Sequence, residues 1–154
     1  MLFRSQFIAE RLKITSNSKS ATQRPTSKNE LELLIQQELK EQGPDADLNF
    51  IDTSKITDMS ELFANYATIR NIKIDEWDVS NVTNMEHMFS LCDKFNCDLS
   101  RWDVSSVTNM KYMFYSCENF DSDLRGWDVS NVRTYIKFAD LCSASFVKKI
   151  PKFK

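Results

Sequence analysis

Four cysteines, one histidine and a series of regularly placed aspartates are the residues of this 154-residue sequence whose types could do chemistry. Thiols with an imidazole suggest zinc or a nucleophile with its base, thiols alone a disulfide, and ranked carboxylates calcium. The spacing argues against each. There is no C-x-x-C pair, and His87 as the lone histidine leaves zinc short of ligands. Cys92, Cys117 and Cys142 follow one another at 25 residues, and Cys97 corresponds to Ser122 one unit on. They read as free, buried thiols filling small apolar slots, with a disulfide between units as the alternative for an exported chain. Asp52, Asp78, Asp103 and Asp128 recur in the same phase. Stacked carboxylates repel unless compensated, so each is expected to accept backbone N–H groups at a corner. Calcium between turns is the alternative, against which stands the lack of Gly-rich D-x-D loops.

A catalytic centre has little to draw on. His87 sits between Met85 and Met88, no Gly-rich phosphate loop occurs, and the serines and aspartates recur with the unit that contains them. The expectation is no enzyme, no catalytic residue, no cofactor and no metal.

These residues are positioned by a repeat. WDVSNVTNM at Trp77–Met85 returns as WDVSSVTNM at Trp102–Met110 and WDVSNVRTY at Trp127–Tyr135, each Trp 25 residues after the last. A looser copy, IDTSKITDM at Ile51–Met59, lies 26 residues upstream, with one residue inserted between Phe63 and Trp77. Such a period marks stacked supersecondary units. Met85, Met88, Phe89 and Cys92 fall at i, i+3, i+4 and i+7, as do Met59 to Tyr66, Met110 to Cys117 and Tyr135 to Cys142, which predicts short helices preceded by N-cap residues Asp58, Asn84, Asn109 and Thr134. Phe95, Cys97 and Leu99 alternate, as do Phe120, Ser122 and Leu124, which predicts short strands. The expected fold is an α/β repeat: a short solenoid of about four 25-residue coils, each strand, corner, extended segment and helix. With only two glycines, positions of positive φ are expected to fall on Asn.

The ends differ from the body. Residues 1–26 read as a basic amphipathic segment followed by a Ser/Thr-rich linker, and residues 1–14 as a docking or poorly ordered terminal helix, with weak contact to a membrane surface or a partner groove as the alternative. Ser27 with Glu30 matches a capping box, Leu31, Leu34, Ile35 and Leu39 form an apolar stripe, and Gly43-Pro44 supplies a stop, so residues 27–43 are expected to form a helix over Lys28–Gln42 that caps the array. Residues 44–146 are the repeats and 147–154 a basic tail, with Phe146, Ile150 and Phe153 available to fold over the last unit. The first 28 residues carry six Lys or Arg and one acid, the last eight four Lys, and residues 29–146 ten basic and 21 acidic side chains. Neither an apolar run of spanning length nor a cleavable leader is legible, so the sequence as written reads as cytoplasmic, with the cell surface as the alternative.

The phrase F-N-x-D-L-S-x-W-D-V-S-x-V-T-N-M-x-x-M-F-x-x-C, carried by Asp45 to about Cys142, resembles the BspA-like bacterial leucine-rich-repeat surface proteins, which include a mycoplasma-type 25-residue repeat of unknown function. The resemblance implies a right-handed solenoid used in adhesion or other protein contacts. The functional expectation is a non-enzymatic protein-interaction module whose partner is a protein, read by positions that vary between copies: His87, Lys94, Arg101, Tyr112 and Tyr115. Two alternatives stand beside it. One is an intracellular, phage-encoded inhibitor or decoy whose acidic body mimics nucleic acid, a body that does not itself bind nucleic acid; the other is an exported adhesin.

Overall fold

The computed structural model describes residues 22–154. The amphipathic segment expected over residues 1–14, and the linker as far as Ala21, lie outside the described residues. Gln23 forms a parallel bridge with Ile51, Arg24 pairs with Asp52 at 3.2 Å, and Pro25 is buried.

Helix α1 spans Lys28–Gln42, as its sequence signals predict. The Ser27 hydroxyl accepts from the Glu30 N–H, and the Glu30 carboxylate accepts from the Thr26 N–H at 2.7 Å, one residue earlier than a reciprocal box would place it. Gly43, at φ 84°, turns the chain out of the helix while its N–H returns to Leu39. Leu31, Leu34 and Ile35 bury the apolar stripe in the core, and Lys28 and Gln42 reach Ser60 and Asp47 of the first repeat.

Beyond α1, the expected α/β solenoid of strands and short helices is not what the chain forms. Among the described residues there is no sheet, and the one further helix is α2, Ala144–Val147. Most of the chain is coil built from consecutive tight turns. In the first repeat, i→i−3 hydrogen bonds join Ile51 to Leu48, Ile56 to Thr53, Leu62 to Met59, Ala64 to Glu61, Tyr66 to Phe63 and Ile69 to Tyr66. A turn every few residues leaves no room for a strand, so strand-like pairing between repeats is confined to isolated parallel bridges such as Asp58–Asn84–Asn109–Thr134.

The predicted helices fail for a specific reason. Within Met85–Cys92 the N–H groups of Met88, Ser90 and Cys92 bond back to Met85, His87 and Phe89, whereas those of Met85, His87, Phe89 and Leu91 cross to the carbonyls of Asn109, Lys111, Met113 and Tyr115. A helix retains its N–H groups within itself from the second turn on; here every second one leaves the segment. The arrangement requires positive φ at His87 and Leu91, and the same two positions recur as Glu61 and Asn65, Tyr112 and Ser116, and Lys137 and Leu141. Only one of the eight is Asn. Each such residue carries a backbone penalty of roughly 1 kcal/mol, offset where its N–H finds an acceptor in the next layer. The i→i−3 turns still place positions i, i+3, i+4 and i+7 on one side, so the apolar spacing is satisfied without a helix.

Successive repeats therefore lie as layers sharing one core. Phe63, Phe89 and Phe114 stack at 5.5 and 5.4 Å, and Phe95 and Phe120 at 5.5 Å beside them. The indole N–H of Trp77, Trp102 and Trp127 donates to Leu48, Ile74 and Leu99 in the preceding layer, at 2.9–3.0 Å. Equivalent residues are 26 apart from Met59/Met85 to Ile69/Phe95 and 25 apart from Ile74/Leu99 onward, which places the inserted residue near Asn71. Asn71 is exposed, and its N–H and side-chain amide both bond Asp45. At the far end Phe146 sets its ring edge-on to Phe114 and Phe120, and Phe153 stacks on Tyr135 at 4.2 Å. No helix among the described residues is long and apolar enough to cross a membrane.

The turn conformation has a direct test at Leu91, which is 46% exposed at φ 64°. Leu91→Asn is expected to raise the unfolding free energy by about 1 kcal/mol and Leu91→Val to lower it by a similar amount or more, measured by denaturant melts. A short helix at this position would give the opposite sign for Asn.

Candidate functional site

His87, Tyr112 and Lys137 occupy one repeat position, the first of the two with positive φ. Their side chains consequently leave the layers at the same place. The His87 and Tyr112 rings stack at 4.6 Å and 6° apart, Tyr115 meets Tyr112 edge-on at 5.5 Å, and the Lys137 ammonium lies 5.8 Å from the Tyr112 ring centre. Beside them Glu86 accepts from the Asn109 amide at 2.9 Å and pairs with Lys111 at 3.7 Å. The result is a half-buried aromatic column with an ion pair along its flank. Cation–π attraction of this kind is worth about 0.5–1 kcal/mol where solvent reaches it.

Of the five residues singled out in the sequence, the structure brings together His87, Tyr112 and Tyr115. Lys94 and Arg101 are exposed and share no ring contact, ion pair or hydrogen bond with that cluster among the described residues; Arg101 instead faces Asp75 at 3.5 Å. Lys137, Lys111 and Glu86 were not among the five. The 25-residue register was the signal for Lys137, which follows Tyr112 by one unit as Tyr112 follows His87.

The thiols are taken up by the layers. Cys92, Cys117 and Cys142 donate at 2.9 Å to the carbonyls of Phe63, Phe89 and Phe114, each in the preceding layer. All four cysteines are free. Burial pushes the Cys92 thiol up to about 12 and Cys117 higher still, and Cys97 and Cys142 to about 11, so all four are protonated, and poor nucleophiles, at neutral pH.

The aspartates are likewise occupied. Asp52, Asp78, Asp103 and Asp128 each accept the N–H of the serine two residues on, and in the first three the serine hydroxyl donates as well, at 2.6 Å. Asp98 and Asp123 close equivalent turns, and Asp58, Asn84 and Asn109 do so at the start of the segments expected to be helical. The Ser105 hydroxyl, then its N–H, holds Asp103 below the usual carboxylate range, and Ser54 and Ser130 do the same for Asp52 and Asp128. Carboxylates engaged in this way are turn formers with their lone pairs already aimed inward along the chain.

Two measurements follow. In the native protein Cys97 and Cys142 are expected to take up iodoacetamide well before Cys92 and Cys117, with all four modified after unfolding, read by mass spectrometry of the peptides. A folded-state pKa below the unfolded value contributes stability that is present above the unfolded pKa and lost as pH falls through the folded one. The unfolding free energy is therefore expected to drop as pH is lowered from ~5 to ~2, and Asp103→Asn, which keeps an acceptor but cannot titrate, should make that drop shallower.

Comparison with known proteins adds one finding. A search of the curated proteins and a search of the solved structures gave no match. A family model described as a Mycoplasma protein of unknown function, DUF285, matches residues 35–153, which takes in the end of α1, all four layers and the closing segment. With well over half of its length inside that match, the chain belongs to the DUF285 family of Mycoplasma proteins of unknown function.

Proposed function

We propose that this chain is a non-enzymatic protein-interaction module that recognises a protein partner through the side of its layered body, centred on His87, Tyr112 and Tyr115. The observation that carries the reading is the aromatic column itself. Three rings at mutual distances of 4.6 and 5.5 Å, each half-buried, form a rigid apolar surface that a partner can cover at little cost in side-chain entropy. Tyr is enriched among interface anchors, and a polar rim is at hand in Glu86, Lys111 and Lys137. Lys94 and Arg101 are exposed but stand outside this column, and in this reading their charges steer encounter more than they add affinity. The resemblance to BspA-like surface proteins supports an adhesive role for the same face at the cell surface.

A second reading, an inhibitor or decoy that occupies a nucleic-acid channel, is favoured by one observation. Asp78, Asp103 and Asp128 form an exposed column, and hydrogen bonds from Ser105 and Ser130 keep the last two charged well into acid. Against it, eight of the body's acids are already paired with Lys or Arg, among them Asp45 with Arg70 and Asp121 with Lys149.

The test is affinity capture with the full chain and with Tyr112→Ala/Tyr115→Ala, at low and high salt. Loss of two anchors at about 1 kcal/mol each should weaken the specific partner about 30-fold. The wild-type interaction should survive a rise from ~0.1 to ~1 M salt, over which the Debye length falls from ~10 to ~3 Å. A partner retained by the double variant and lost in salt would instead select the charged decoy.

A further inference from the structure

The hydrogen bonds that join the layers across the turn segments all run one way. N–H groups of Met59, Glu61, Phe63 and Asn65 reach the second layer, those of Met85 to Leu91 the third, and those of Met110 to Ser116 the fourth. In the fourth layer the equivalent N–H groups of Tyr135, Lys137, Ala139 and Leu141 have no acceptor among the described residues. They line an open groove together with Ile136, 57% exposed, and Leu141, 64% exposed. A row of N–H groups facing outward is an electropositive surface. Arg133 and Lys137 line the groove against the single acid Asp140, and the closing segment 147–154 adds four Lys and no acid to the same end of the chain, Lys149 among them being paired with Asp121.

The opposite end has the opposite character. Residues 27–70, which make up α1 and the first layer, carry nine acids against four basic residues. Glu38 and Glu41 stand on the outer side of α1, and the carbonyls of Ser60, Leu62 and Ala64, equivalent to the acceptors Glu86, Met88 and Ser90, receive no backbone donor among the described residues. Carboxylates accept backbone N–H groups throughout this protein, so an acidic surface can meet the unfilled donors of the fourth layer.

We propose that copies of this chain associate head to tail, the basic fourth-layer end of one seating on the acidic end formed by α1 and the first layer of the next. The occupant of the groove is thus a second copy of the chain. Because the two surfaces are different patches, the contact is heterologous and leaves an unused end on each side of every pair, so association continues into open oligomers. The proposal uses the ends of the body and does not depend on the aromatic column on its side.

Sedimentation velocity on the full chain over a range of concentrations tests it. Association is expected at ~0.1 M salt and should be at least about tenfold weaker at ~1 M, because both faces are charged. Ile136→Asp/Leu141→Asp disables one end and Glu38→Lys/Glu41→Lys the other. All four side chains are exposed or half-exposed, so the thermal melts of both variants should match wild type. Each variant alone should stay monomeric, while an equal mixture should form a one-to-one pair and stop there. The proposal is overturned if the full chain is monomeric at every concentration in low salt, if either variant associates as wild type does, or if the mixture stays monomeric. Binding of polyglutamate by a chain that never self-associates would overturn it too, assigning the groove to a foreign acidic partner.

Discussion

Alternate N–H groups leave their own layer at each turn segment and bond the next, and the rest of the structure depends on that division. A coil of tight turns satisfies half of its backbone donors internally and strands the other half. Stacking satisfies them, three layers deep, with bonds of 2.8–3.0 Å across the turn segments from Met59 to Ser116. The positive φ values at Glu61, His87, Tyr112 and Lys137 and their companions are the price of aiming those donors outward. A buried amide without a partner costs ~1–3 kcal/mol, so the strain is retained only because the alternative is worse. The phenylalanine stack then fills the space that the stacked turns enclose.

Much of this was legible in the sequence, and the parts that were not have identifiable causes. The period, most of the inward residues, the cap and stop of α1 and the acceptance of backbone N–H groups by the aspartates all follow from side-chain type and spacing, whereas Tyr135, expected on the apolar face, is exposed. Conformation within the unit did not. A spacing of i, i+3, i+4 and i+7 is shared by a helix and by overlapping i→i−3 turns, and what separates them is the destination of alternate N–H groups, which no side chain records. The alternation of Phe95, Cys97 and Leu99 reports facing correctly, with Phe95 and Leu99 fully buried, yet a turn at Leu99–Trp102 and the Ser122 hydroxyl on the Leu99 N–H replace a strand ladder. Nor did scarcity of glycine send the positive φ positions to Asn. The stack holds Leu91 and Tyr112 there regardless of their preference, which is tertiary context overriding propensity.

The candidate site was partly legible for the same reason. Copy-to-copy variation marks surface, and it marked His87, Tyr112 and Tyr115, but variation alone gives no means of ranking those positions by proximity. Register does: residues one unit apart are neighbours, so His87, Tyr112 and Lys137 form a column, whereas Arg101 pairs across layers with Asp75 and Lys94 lies apart. The groups with most chemical promise on paper are the ones most completely absorbed. Thiols cap carbonyls of the layer before, and carboxylates close turns, leaving the ring faces as the surface least committed to holding the body together.

The bulge at Asn71 has a bearing on how such a chain can change. One additional residue was absorbed at an exposed bend, where the Asp45 carboxylate takes up its N–H and amide, and the Trp77 and Phe89 rows on either side kept their alignment. The same addition between Met85 and Cys92 would shift every later donor off its acceptor. Length variation in this architecture is therefore confined to two kinds, single residues at outer bends and complete 25-residue units, and anything between them breaks the stack.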